Sequence, residues 1–401
     1  MGEEKDYVVV TVSGQDRPGI AAVFTNILVA HDVEVADIDQ ATLQDFLALT
    51  FMLDLSGSNG GKDSVLKDLL FEANRLGMSL NFQLLSEREL RQKKEKNFFI
   101  LTFFGDTRAF AEIATVLGEE SANIEKITNL SRNDASCMEL TINVRRVPSL
   151  SRLKEHLMAV SHRLSVDLAF QKREAYRKGK RLVFFDMDQT LVDMEVIDEM
   201  ARAAGVFEQV ARVTEKAMRG DLDFEDSLRQ RVALLKGLRV GELERIRDNL
   251  KVSEGAEELL ATLKTLGYTA GVVSGGFTFF SDHLAARLGL DFAYANELEL
   301  KDGAVTGRVT GEIIDDAAKA RIVNAVASER GIMLDQAVAI GDGVNDSLML
   351  GQAGLGIAYN AKARLVQVAS MNLGRSRLKN ILYILGITED DIEAVARHRA
   401  T

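Results

Sequence analysis

Apolar positions in "YVVVTVSGQDRPGIAAVFTNILVAHDVEVADIDQ" change period twice within one stretch. The β-branched run at its start reads as a strand, and a turn follows over Gly14 to Gly19. Ile20, Val23, Phe24 and Ile27 then recur at helical spacing, and Val33 to Ile38 returns to a strand. A strand-like run ("ALTFMLDLSG"), a helical segment ("GGKDSVLKDLLFEANRLG") and a last strand ("SLNFQLL") complete the series. At Asn97 "NFFILTFFGDTRAFAEIATVLGEESANIEKITNLS" starts it again, followed by "CMELTINVRR", "SLSRLKEHLMAVSHRLS" and "VDLAFQ". The order βαββαβ thus occurs twice, which predicts two duplicated ferredoxin-like domains, since two copies are too few for a solenoid. "SERELRQKKEKN" between the copies and "KREAYRKGKR" after them are charged and poor in apolar residues, and read as solvated linkers.

From Arg181 the pattern becomes strands alternating with helices, which predicts a mostly parallel, Rossmann-like sheet wrapped by helices. Three apolar strands there end in polar clusters: "LVFFDMDQT" in Asp186, Asp188 and Thr190, "AGVVSGGF" in Ser274, Gly275 and Gly276, and "AVAIGDGVND" in Asp342, Asn345 and Asp346. Open α/β sheets bind ligands beyond the carboxyl ends of their strands. One D-x-D is weak evidence; three clusters with the lysine of "DDAAKAR", Lys319, point to phosphoryl transfer. Strand-tip carboxylates suit a hard cation such as Mg²⁺, with Asp186, Asp188 and Asp342 expected around it. Asp186 is the expected nucleophile and Asp188 the acid and base, for which its pKa must lie above the ordinary carboxylate value. Ser274, the amide of Gly275, Lys319 and Asn345 are expected to hold phosphate oxygens.

Composition narrows the partners. The chain has 401 residues, 46% of them hydrophobic, enough for two or three domains with real cores. Its net charge of -11 argues against nucleic acid and anionic membranes as partners. The one cysteine, Cys137, excludes an intramolecular disulfide, and "MGEEKDYVVV" carries neither region of a signal peptide. The expectation is a cytoplasmic protein acting on a small molecule.

Two resemblances follow from these motifs. The tandem βαββαβ units, with "GQDRPGI" in the first loop, resemble a pair of ACT domains over residues 1–90 and 95–172. That implies an amino-acid ligand near Gly14, Asp16 and Gly19, and a homodimer formed through these domains. "GDTRAFA" in the second copy lacks the Pro-Gly, and its loop is expected to bind nothing. D-x-D-x-T, S-G-G, the lysine and G-D-G-x-N-D resemble the haloacid dehalogenase superfamily over residues 180–395. A helical cap at about 194–252 is similar to that of its phosphoserine phosphatases.

The resemblance implies hydrolysis of phosphoserine through an aspartyl-phosphate. Glu195 would hold the substrate ammonium and Arg231 its carboxylate, with Met218 and Phe224 shielding the pocket, and serine is the implied effector. Phe224, Leu228, Arg231 and Leu235 share one helical face behind an Asp223 cap, so an arginine stands on an apolar stripe. Gln189 departs from the family's usual serine, and is expected to alter a local hydrogen bond without loss of activity. Two alternatives use the same residues: a phosphotransferase with an acceptor such as homoserine, and an amino-acid sensor with reduced phosphatase activity.

Overall fold

A computed structural model describes residues 7–85, 97–131, 136–173, 177–361, 371–374 and 377–400. The linker "SERELRQKKEKN", except Asn97, and residues 174–176 of "KREAYRKGKR" lie outside the described residues. The chain divides into two compact units, Met1–Lys96 and Asn97–Thr401.

The first unit is one βαββαβ repeat. Its strands β1 (Tyr7–Gln15), β2 (Glu34–Leu43), β3 (Phe46–Asp54) and β4 (Ser79–Leu85) form an antiparallel sheet in the order β2-β3-β1-β4. Alternation puts Val8, Val10 and Val12 of β1 and Leu47, Leu49, Phe51 and Leu53 of β3 on one buried face. Phe24 and Leu28 from the helix Ile20–Ala30 and Val65 and Leu69 from Gly61–Arg75 cover that face.

The loop "GQDRPGI" differs in detail from the sequence expectation. Gly14 is not a loop residue but a strand residue opposite Leu47, and its missing side chain leaves room for Met78, whose Cγ would stand 3.1 Å from a Cβ there. Asp16 is exposed, and its amide donates to the Asp45 carbonyl at 2.7 Å. Gly19, at φ 95°, begins the helix with no side-chain cap.

In the second unit one sheet of eleven strands runs in the order β12-β11-β10-β9-β13-β14-β15-β8-β5-β7-β6. The second repeat supplies β5 (Phe98–Phe104), β6 (Asn123–Asn129), β7 (Cys137–Asn143) and β8 (Leu168–Lys172), in the same relative order as the first. The remainder is β9 (Leu182–Phe185), β10 (Thr269–Phe277), β11 (Phe292–Lys301), β12 (Ala304–Thr310), β13 (Ala337–Gly341), β14 (Leu355–Tyr359) and β15 (Met371–Leu373). From β11 to β15 all neighbouring strands are parallel, and β12 folds back antiparallel on β11.

The join between repeat and parallel sheet is one the linker reading did not anticipate. β15 pairs antiparallel with β8, Met371 opposite Ala169 and Asn372 opposite Leu168. Phe104, Leu130, Cys137 and Ala169 of the repeat belong to the same buried cluster as Val183, Ile340, Leu382 and Ile384. The amide of Gly374 donates to Asp167 Oδ1 at 2.9 Å, and Gln171 Nε2 to the Ile384 carbonyl at 3.2 Å.

Four helices, Val196–Ala203, Phe207–Arg219, Phe224–Leu234 and Val240–Asp248, follow β9 as a cap. Its two stems meet where Val192 bridges Val252, with Asp193 N donating to the Lys251 carbonyl and Ser253 N to that of Leu191, both at 2.9 Å. The hairpin β11–β12 reaches up to it: Gly237 N donates to the Val305 carbonyl at 2.8 Å and Val240 N to that of Gly303 at 2.9 Å.

Candidate active site

The strand order reverses between β9 and β13, the crevice where an open parallel sheet leaves room for a ligand. Both strands are short, fully buried and apolar, so the first polar residues beyond them emerge together. The Asp186 amide donates to the Ile340 carbonyl at 2.8 Å, which sets Asp186 beside the G-D-G turn. Asp186, Asp342 and Asp346 are buried with carboxylate oxygens all within 4.8 Å of one another.

Lys319 enters this trio from the first turn of the helix Asp316–Glu329, whose start is fixed by Asp315 accepting from Ala318 N at 2.7 Å. Its Nζ, fully buried, donates to Asp186 Oδ1 and to Asp346 Oδ1, each at 2.7 Å. Burial opposes the lysine charge, but the Asp186 and Asp346 carboxylates outweigh it and hold the ammonium above the ordinary lysine value. Asp346 is itself raised, by burial and by Asp186, against Lys319 and the Gly343 amide that stabilise its charge. One ammonium thus serves the Asp186 and Asp346 carboxylates together. Gly341 has to be glycine here, because a Cβ would fall on the Asp346 carboxyl group.

Asp346, which the sequence reading placed only in the strand-tip cluster, brings its carboxylate to Asp186 and Asp342. The carboxylate of Asp188 turns toward the cap, where its Oδ1 accepts from Val196 N at 3.4 Å. Part of its surface stays accessible, yet protein surrounds most of the group. Its pKa lies well above the ordinary value through desolvation first, then the charges of Glu195, Asp186 and Asp342. Gln189, the next residue, takes the left-handed region at φ 55°, and its amide donates to the Met194 carbonyl at 3.3 Å. Thr190 Oγ1 is buried with no partner in the structure.

At the tip of β10, Ser274 Oγ accepts from Gly276 N at 2.9 Å, which leaves its hydroxyl hydrogen free to donate elsewhere. Gly275 is held from behind by a residue that sequence reasoning missed. Asn296, buried in β11, donates from Nδ2 to the Gly275 carbonyl at 2.9 Å and accepts from Ile314 N at 2.8 Å. Its only sequence signal is an amide side chain within "YANELEL", an otherwise ordinary edge-strand pattern.

The cap brings its residues to this tip unequally. Asp223 Oδ1 caps the helix Phe224–Leu234 by accepting from Asp226 N at 2.7 Å, and Leu228, Val232 and Leu235 anchor it in the core. The Phe224 ring lies against Gly275, so close that a Cβ there would stand 2.8 Å from its Cζ. Arg231 is half-buried with Nε donating to the Ser227 carbonyl at 3.3 Å. Desolvation lowers its pKa, while the charges of Glu195, Asp198 and Asp188 act to raise it, so these acids face the guanidinium. Glu195 starts the helix Val196–Ala203 and is half-buried. Asn345 is half-buried and folds against Gly343. Met218 stands apart from the group: it is 57% exposed near the end of its helix.

A parallel sheet with an aspartate trio and lysine at its switch point, and a helical cap inserted after the first strand, defines a haloacid dehalogenase-like hydrolase. The family model of haloacid dehalogenase-like hydrolases matches residues 183–351, and ACT domain models match residues 6–83 and 103–171. A phosphoserine phosphatase of Streptomyces coelicolor is 40% identical, over 96% of this chain and 94% of its own. One of Mycobacterium tuberculosis is 36% identical over 97% and 95%. The solved structure of a probable phosphoserine phosphatase from Vibrio cholerae is 31% identical with TM-score 0.58, covering 76% of this chain and 90% of that one. The chain belongs to the phosphoserine phosphatase family, in the form that carries two ACT domains ahead of the hydrolase domain. Among the described residues no helix is long and apolar enough to cross a membrane.

Proposed function

We propose that this chain hydrolyses O-phospho-L-serine to L-serine and inorganic phosphate, in the cytoplasm, as the last step of serine biosynthesis. What supports the reading most is Asp186, fixed by Lys319 at 2.7 Å, with the raised Asp188 beside it and Glu195 and Arg231 facing in from the cap. An oxygen of Asp186 bonds to phosphorus as the bond from phosphorus to the seryl oxygen breaks, and Asp188 gives that oxygen its proton. Asp188, now a carboxylate, takes a proton from water as the water oxygen attacks the aspartyl-phosphate. The bond to Asp186 breaks and phosphate leaves.

Ser274, the Gly275 amide, Lys319 and Asn345 hold the phosphate oxygens. Arg231 takes the α-carboxylate with its planar fork and Glu195 the ammonium, while Phe224 closes the pocket against water. Met218, exposed near the end of its helix, is proposed to flank the same pocket. The three buried carboxylates offer oxygen donors only, a donor set that fits a divalent hard cation. Asp186, Asp188 and Asp342 would hold Mg²⁺, with the Asp346 carboxylate beside them, and the ion when bound supplies positive charge to the phosphate oxygens.

The test is phosphate release from L-phosphoserine, with and without Mg²⁺ and with homoserine added. Release that requires Mg²⁺, yields no phosphohomoserine and falls by several orders of magnitude in Asp186→Asn is the expected result. Phosphohomoserine as the main product, or Asp186→Asn retaining more than about a per cent of the rate, overturns the reading.

The ACT domains are proposed to form a homodimer and to bind L-serine at the first copy, where Gly19 leaves the helix start uncapped. In the second copy Asp106 accepts from Arg108 N and Ala109 N at 3.0 Å, so its own side chain takes up the amides a ligand would need.

A further inference from the structure

Sheet edges carry unpaired N–H and C=O groups, and proteins ordinarily blunt them with charges, proline or a bulge. β2, at one edge of the first unit, has Glu34, Asp37 and Asp39 and a bulge between Val35 and Asp37. β6, its counterpart in the second repeat, has Glu125 and Lys126 and likewise a bulge, between Ile124 and Lys126. β4, at the other edge of the first unit, has none of these devices. Among the described residues it pairs with β1 alone, in unbroken register, and "SLNFQLL" contains no charge and no proline. Phe82 stands opposite Val10 and Leu84 opposite Val8, so both lie on the helix side of the sheet, yet they are 52% and 54% exposed. The helix Gly61–Arg75, which packs against β4, adds Leu70, also exposed. Asp68 reaches His31 beside the first helix, and Leu70, about 200° further round, stands on the opposite flank, toward β4.

In the second repeat the counterpart of β4 is β8, and its outer edge is taken by β15, antiparallel. We infer that the edge of β4 takes the same kind of partner from a second copy of this chain, β4 against β4 about a two-fold axis, so that two four-stranded sheets become one of eight strands. The inference rests on the homodimer proposed above and names its contact. An antiparallel edge strand is its own complement under two-fold symmetry. Centred on Phe82, the pairing sets Phe82 against Phe82, Leu84 against Leu80 and Gln83 against Asn81, apolar on apolar and amide on amide, with Leu70 over the seam. Two chains of net charge -11 repel each other, and an uncharged strand is where they meet at least cost.

Cross-linking of the full chain with a short bismaleimide tests this. The one cysteine, Cys137, is fully buried, so an introduced thiol is the one that reacts. Phe82→Cys should be captured as a covalent dimer, and Ile38→Cys, exposed on the blunted edge, should not. In sedimentation the parent should be a dimer. Phe82→Lys removes an apolar pair and sets two like charges against each other, and should weaken association at least about tenfold. If Phe82→Lys fails to fold, the two cysteine variants still decide. A parent that is monomeric overturns both the inference and the homodimer beneath it. A dimer that Phe82→Cys does not capture, that Ile38→Cys captures equally, or that Phe82→Lys leaves at the parent's affinity overturns this contact alone.

Discussion

Arg231 and Asn296 carry different kinds of information about the strand-tip site. Removing the Arg231 guanidinium takes a partner from an α-carboxylate, which only an amino-acid substrate possesses. Arg231→Ala should lower kcat/KM for phosphoserine by roughly 5- to 150-fold more than for p-nitrophenyl phosphate, the equivalent of about 1–3 kcal/mol. Equal losses on the two substrates would make Arg231 a structural residue. Asn296 touches no substrate in the proposed arrangement but holds Gly275, so it is a positioning residue. In Asn296→Ala the Gly275 carbonyl and Ile314 amide lose partners in a buried place, at about 1–3 kcal/mol each if water does not replace them. KM should rise for both substrates alike, and a selective loss on phosphoserine would contradict the assignment.

Among elements, the two helices of the first repeat are tied together by His31, which follows Ile20–Ala30. Its Nδ1 pairs with the Asn59 carbonyl at 3.0 Å and its Nε2 with Asp68 Oδ2 at 2.8 Å. The Asn59 bond first, then Asp68, raises its pKa above the ordinary 6.5. A group raised on folding contributes stability that is fully present below its unfolded pKa, about 6.5, and is lost as pH rises through the folded value. Chemical unfolding of residues 1–96 should therefore show His31→Gln less stable than the parent near pH 5.5, with the gap closing as pH rises past the raised value. A gap that widens with pH would disprove the coupling.

On the scale of the whole molecule, the second repeat behaves as part of the hydrolase body and not as an appended module. A chain of residues 180–401 would bare the β15 edge and lose Phe104 and Leu130 from the shared cluster. At about 1.5–3 kcal/mol for each large side chain and roughly 2–4 °C per kcal/mol, its melting temperature should fall by about 10 °C. Residues 97–401 keep the sheet intact and should match the catalytic rate of the full chain. The two chains also separate product inhibition from regulation. If serine acts through the first ACT domain, inhibition should weaken in residues 97–401; identical inhibition would reduce that domain to a scaffold.

Period alone determined the duplicated βαββαβ units and the alternating sheet, because each of those elements buries one face and its spacing is written locally. Strand-tip polarity likewise made Asp186, Asp342 and Ser274 legible, since polar residues directly after a buried apolar run have few places to go. Tertiary structure alone decided the rest. Asp346 and Asp188 lie in similar acid-rich turns, and only the meeting of β9, β13 and the Lys319 helix sends one carboxylate to the lysine and the other to the cap. Gly14 reads as a loop glycine, yet pairing with β3 and contact with Met78 make it a strand residue. The β8–β15 join arises between segments about 200 residues apart, and no local pattern encodes a contact whose free energy comes from burying both partners together.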